Sequence, residues 1–108
     1  MINLNAELFQ QHVVEGSAPV LVEFWAPWCV YCRRIAPALG KVAQQVQGSL
    51  VVGQVNIDEE PHLAEKERIE VIPTLVLYRG GEVLGSIVAP ESKAKIEAFI
   101  QDTLGQGG

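Results

Sequence analysis

Apolar positions along this chain fall into two periods. Val20 to Trp25 is apolar on both faces and broken only by Glu23, which predicts a strand at the centre of a sheet covered on both sides. Leu50 to Ile57 is a second run rich in β-branched residues. Thr74 to Tyr78 and Glu82 to Val88 form two more strands, and Gly80–Gly81 between them is a two-residue hairpin signal. Helical spacing separates these runs. Asn5 caps a first helix that carries Leu8, Phe9 and Val13 on one side, and Gly16 to Pro19 ends it. After Ala26–Pro27–Trp28, a longer helix aligns Ile35, Leu39, Val42, Ala43 and Val46, with Gly48 closing it. Pro37 lies inside that helix and should kink it, since the apolar period continues beyond. Pro61 to about Arg68 predicts a short polar helix behind the acidic Asp58, Glu59 and Glu60. Ser92 caps a last helix with Ile96, Phe99, Ile100 and Leu104 in one stripe.

The order is strand, helix and parallel strand, then an antiparallel hairpin and a closing helix. That order predicts an α/β fold with a central mixed β-sheet flanked by helices on both faces. The chain has 108 residues, 48% hydrophobic and 19% charged, enough to bury one core without staples. A single domain over residues 1–104 with a flexible tail at 105–108 is expected. With 13 acidic against 8 basic side chains the net charge is −5, which disfavours a nucleic-acid surface. The apolar runs fall far short of the roughly 20 residues that span a bilayer, and residues 1–7 have no secretory pattern. A cytoplasmic monomer with no membrane contact is the expectation.

The chemistry lies in Cys29 and Cys32, placed where a strand gives way to a helix. Exposed N–H groups and the positive end of the helix dipole stabilise a thiolate there, which lowers the pKa of the first cysteine into the range of about 3.5–7.5. Cys29 is expected exposed at the tip, with Cys32 one turn deeper and close enough to resolve a mixed disulfide. Two plain alternatives stand beside this. Both thiols could be inert core residues, or they could supply half of a zinc site, although His12 and His62 are isolated and show no ligand spacing.

Trp25–Ala26–Pro27–Trp28–Cys29–Val30–Tyr31–Cys32 closely resembles the active-site signature of the thioredoxin family. The likeness extends through Pro37, Val55–Asn56–Ile57–Asp58, Ile72–Pro73–Thr74 and Gly80–Gly81–Glu82–Val83. It implies the thioredoxin fold and a protein-disulfide reductase in which Cys29 attacks and Cys32 resolves. It also implies that Trp28, Tyr31, Ile72, Pro73 and Ala89 form the substrate surface, with Pro73 as the family's cis-proline. No bound cofactor or metal is implied; electrons come from a separate thioredoxin-reductase-like donor, and the substrates are disulfide-containing proteins. Glu23 occupies the place of a buried acid that moves protons at the resolving cysteine. Desolvation in a doubly covered strand should raise its pKa.

Four departures accompany the likeness. Val30–Tyr31 replaces the usual Gly–Pro. Gln54 replaces a lysine beside the buried acid. Ala89, followed by Pro90, replaces a glycine on the substrate-facing loop. Arg33–Arg34 follow the second cysteine. A Tyr31 hydroxyl near the sulfurs and Arg33 one turn from Cys29 would stabilise the reduced form and make the disulfide more oxidising. That leaves a glutaredoxin- or isomerase-like activity as an alternative, alongside a non-catalytic binding module.

Overall fold

The computed structural model describes residues 1–105. Five strands and four helices follow in the order β1 (Ile2–Asn3), α1 (Ala6–Phe9), β2 (Val20–Trp25), α2 (Val30–Gln45), β3 (Val51–Asn56), α3 (Pro61–Lys66), β4 (Thr74–Arg79), β5 (Glu82–Val88) and α4 (Lys93–Gly105). The sheet runs β1-β3-β2-β4-β5. β3 is parallel to both β1 and β2, while β4 is antiparallel to β2 and β5. The α/β fold with a mixed sheet is therefore as expected, and β2 is its central strand.

Local chemistry explains most of the elements. Asn5 Oδ1 accepts the Leu8 N–H at 2.8 Å, and Ser92 Oγ accepts the Lys95 N–H at 3.2 Å, so both expected caps form. Gly80 and Gly81 take φ of 59° and 83°, which only glycine adopts at no steric cost and which the tight hairpin demands. α2 continues through Pro37 but ends at Gln45, three residues before Gly48. Two features escape the sequence pattern. β1 is a two-residue strand that exists through pairing with β3, Ile2 against Gly53. α1 widens into a π-helical turn over Gln10–Val14, where the Glu15 N–H reaches back five residues to the Gln10 carbonyl.

Helices cover both faces of the sheet. On one, Phe9 and Val13 of the first helical segment and Leu63 of α3 pack on Val20, Val22, Phe24, Val55, Val76 and Tyr78. Phe9 meets Tyr78 edge-on, ring centres 5.5 Å apart. On the other, α2 and α4 bring Ile35, Leu39, Val42, Ile96 and Ile100 onto Leu21, Val52, Leu75 and Leu77. Glu23 shares this second face, because alternate strand residues point the same way. Gly105, expected in the tail, is the last residue of α4, and the rest of that tail lies outside the described residues. No helix among the described residues is long and apolar enough to cross a membrane.

Candidate active site

The site forms where β2 stops and α2 starts. Ala26 to Cys29 makes a turn closed by the Cys29 N–H on the Ala26 carbonyl at 3.1 Å, which delivers Cys29 to the N-cap of α2. Its sulfur takes the part that a serine or aspartate oxygen plays elsewhere. Cys29 Sγ accepts the Cys32 N–H at 3.1 Å, so an otherwise orphaned donor of the first helical turn points at the sulfur. Cys29 and Cys32 form a disulfide, Cα atoms 5.2 Å apart. The sequence put Cys29 in the open and Cys32 inside. Instead both are buried, at 7% and 3% exposure, because Ala26, Trp25, Tyr31, Ile57 and Ile72 pack around them.

Trp28 stands beside the pair, 63% exposed, and its indole N–H donates to both oxygens of Asp58 at 3.0 and 3.2 Å. The Asp58 carboxylate at the end of β3 thus fixes a large aromatic face that would otherwise swing freely. Opposite, the Ile72–Pro73 peptide bond is cis, and Ile72 packs against the cysteine cluster. The Pro73 carbonyl accepts the Ala89 N–H at 2.9 Å, so the loop after β5 is stitched to the loop before β4. Thr74 Oγ1 donates to the Val71 carbonyl at 2.7 Å and closes the turn from within. Ala89 sits at φ 45°, left-handed backbone that disfavours a Cβ.

Among the described residues, neither Tyr31 nor Arg33 makes a side-chain hydrogen bond to the sulfurs. The Tyr31 hydroxyl donates to the Pro90 carbonyl at 3.5 Å, a long bond to the loop after β5. The ring of Tyr31 still packs against the cysteine cluster. Arg33 is exposed on α2 and forms none of the side-chain hydrogen bonds or ion pairs found among the described residues. Its link to Cys29 is through the backbone, the Arg33 N–H on the Cys29 carbonyl at 3.2 Å.

Glu23 is 2% exposed, two residues before Trp25 on the same face of β2. Gln54 lies directly across in the parallel pair and donates through Nε2 to Glu23 Oε1 at 2.9 Å. Oε2 is buried with no hydrogen-bond partner. Burial raises the Glu23 pKa, and the Gln54 bond returns part of that shift. Gln54 stands where the resemblance implies a lysine, and in the cross-strand register it serves as the carboxylate's hydrogen-bond partner. The part Asp58 plays, holding Trp28 from 30 positions away, leaves no mark in the sequence beyond the Val55–Asp58 stretch. Among the described residues no group of three or more His, Cys, Asp or Glu could hold a metal ion.

The thioredoxin family model matches residues 1–102. A thioredoxin 1 from Nostoc sp. is 40% identical over 96 residues, covering 89% of this chain and 90% of that protein. A thioredoxin from Pseudomonas aeruginosa is 40% identical over 100 residues, covering 93% of each chain. A thioredoxin 1 from Synechococcus elongatus is 42% identical over 88 residues, covering 82% of each.

Proposed function

The chain belongs to the thioredoxin family and is a thiol–disulfide oxidoreductase that reduces protein disulfides, and from that premise we propose how its own residues divide the work. The Cys29 thiolate attacks one sulfur of a substrate disulfide. The substrate S–S bond breaks, a mixed disulfide forms, and the departing substrate sulfur takes a proton. Cys32 loses its proton and attacks Cys29, which releases the second substrate thiol and leaves the Cys29–Cys32 disulfide. Two electrons have moved to the substrate, and a separate thioredoxin-reductase-like donor returns them. The observation that carries this division is the Cys29 sulfur at the N-cap, with the Cys32 N–H directed at it. That donor and the helix dipole favour negative charge on Cys29 rather than Cys32.

Glu23 serves as the proton store for the second step. Its ionised carboxylate takes the proton that Cys32 loses and passes it on to the departing substrate sulfur. Burial raises its pKa and so makes it a better acceptor than an exposed carboxylate, and perturbed groups of this kind cluster at functional sites. Trp28, Tyr31, Ile72, Pro73 and Ala89 form the surface on which the substrate lies; the aromatic face held by Asp58 and the tied loops around Pro73 support it. The less reducing, glutaredoxin-like alternative drew on a Tyr31 hydroxyl near the sulfurs, and that hydroxyl is engaged by Pro90. The unit acts as a cytoplasmic monomer over residues 1–104, without a bound cofactor.

Insulin reduction by dithiothreitol tests the assignment. The wild type should accelerate it and Cys29→Ser should abolish the acceleration while the fold persists. Full activity in Cys29→Ser would sink it.

A further inference from the structure

A groove of about 270 Å³ runs between the segment Glu67–Val71 and the β4–β5 face. We propose that it holds an extended, apolar segment of the substrate protein that flanks the disulfide under attack. This rests on Ile72–Pro73 and Ala89 being the substrate-facing loops, and extends that surface away from the sulfurs.

Both walls begin at those loops. Val71 directly precedes Ile72, and Val88 directly precedes Ala89, whose N–H is bonded to the Pro73 carbonyl. From there the groove leads along β5 toward the Gly80–Gly81 turn, with Val88, Ser86 and Val83 on one side. Their partners on β4 are Thr74, Val76 and Tyr78, and a bulge beside Tyr78 keeps Val83 on the face that Ser86 and Val88 occupy. Val71, Val83 and Val88 are each more than half exposed. Exposed apolar side chains gathered in one groove mark a binding surface, whereas scattered ones do not.

Three properties select the occupant. The volume is below the roughly 300–1,000 Å³ of pockets that enclose whole small-molecule ligands, so side chains entering one at a time fit better than a cofactor. The Glu67 carboxylate accepts the Tyr78 hydroxyl at 2.7 Å and keeps its charge, so with Arg68 and Glu70 the lining carries one net negative charge, which disfavours an acidic peptide, while the exposed valines favour an apolar one. β5 ends the sheet, so its outer edge is unpaired among the described residues. The Ala89 N–H faces β4, and alternation along the strand turns the N–H groups of Val88 and Ser86 outward. A segment in strand conformation can pair with that edge and place alternate side chains over the valines.

Two synthetic peptides test this, each with one cysteine in a mixed disulfide with a chromogenic thiol. The short one has a single residue either side of the cysteine; the long one extends both arms with alternating valine. The expected kcat/KM ratio of long to short is about tenfold in the wild type, equivalent to ~1.4 kcal/mol. In Val83→Glu and Ser86→Glu, both exposed positions, the ratio should fall to about one. Gln44→Glu, the same charge change on the exposed side of α2, should keep it near ten. A wild-type ratio near one, or a ratio unmoved in Val83→Glu, overturns the groove while leaving the reductase intact. A dimer in sedimentation that Val83→Glu dissolves assigns the groove to a second copy and also overturns it. Failure of the wild type to reduce either peptide overturns the reductase reading and the groove together.

Discussion

Glu23 titrates where water cannot reach it, and its stability effect has a definite sign. Burial raises its folded-state pKa above the ordinary carboxylate value of the unfolded chain, so over that interval the folded state holds a proton that the unfolded state has lost. Stability therefore falls as pH rises from the ordinary carboxylate range to the raised value, and stays low above it. The loss is about 1.4 kcal/mol for each unit of the shift. Glu23→Gln should remove that slope in urea titrations across the pH range and exceed the wild type in stability at alkaline pH. If Glu23 is the proton store, release of a trapped mixed disulfide should also slow, with first attack unchanged. A variant with the wild-type slope and release rate would return Glu23 to a passive role. At Ala89 the expectation rests on backbone geometry alone. A left-handed Cβ costs about 1–2 kcal/mol, and glycine gives back roughly 0.5–1 kcal/mol of that through the freer unfolded chain. Ala89→Gly should thus raise stability by about 0.5–1 kcal/mol in thermal unfolding, and a lower melting temperature would contradict the strained geometry.

α2 carries the chemistry at one end and only packing along its length, so substitutions at its two ends should read differently. Gly40 lies inside the helix with nothing within 4 Å of where a Cβ would stand. Gly40→Ala should stabilise by about 0.5–1 kcal/mol, read as a higher urea midpoint with unchanged insulin reduction. At the N-cap the expectation is kinetic. With Cys29 at 7% and Cys32 at 3% exposure, access barely separates the two thiols, so their difference must come from the helix end and the Cys32 N–H. Iodoacetamide should label Cys29 first in the reduced protein, at a rate titrating below the unperturbed thiol value of about 8.5. Cys32→Ser should accumulate mixed disulfides with partner proteins on a non-reducing gel, and Cys29→Ser should not. Equal trapping by both would reverse the roles. Elements of this kind were legible in the sequence because caps and periodicity are local: Asn5, Ser92, the Val20–Trp25 run and the paired glycines each act within a few residues. β1 was not, since two residues become a strand only by lying against Gly53. The π-helical turn after α1 likewise left no mark in the apolar spacing.

At the scale of the whole molecule, what stayed hidden is what depends on long loops closing. The Tyr31 hydroxyl meets Pro90 across 59 positions, and Gln54 meets Glu23 across 31, so neither contact follows from composition or spacing. Glu67 and Tyr78, only 11 apart, meet because the segment bearing Ile72–Pro73 doubles back between them. The dithiol was legible for the opposite reason: its two cysteines are three positions apart, within one helical turn. That same closeness limits what the disulfide does for the fold. In the chain-entropy account, a cross-link stabilises by restricting the unfolded chain, and the effect grows with the logarithm of loop length. A loop of four residues is near the minimum and is worth about 2 kcal/mol. For a chain of this size, that corresponds to a melting temperature on the order of 8 °C higher in the oxidised than in the reduced protein. The Cys29→Ser, Cys32→Ser double variant should unfold close to the reduced wild type and be indifferent to dithiothreitol. Scanning calorimetry with and without reductant decides it. Coincident transitions for the oxidised and reduced wild type would mean that the thiolate at the helix end stabilises the reduced fold as much as the cross-link stabilises the oxidised one.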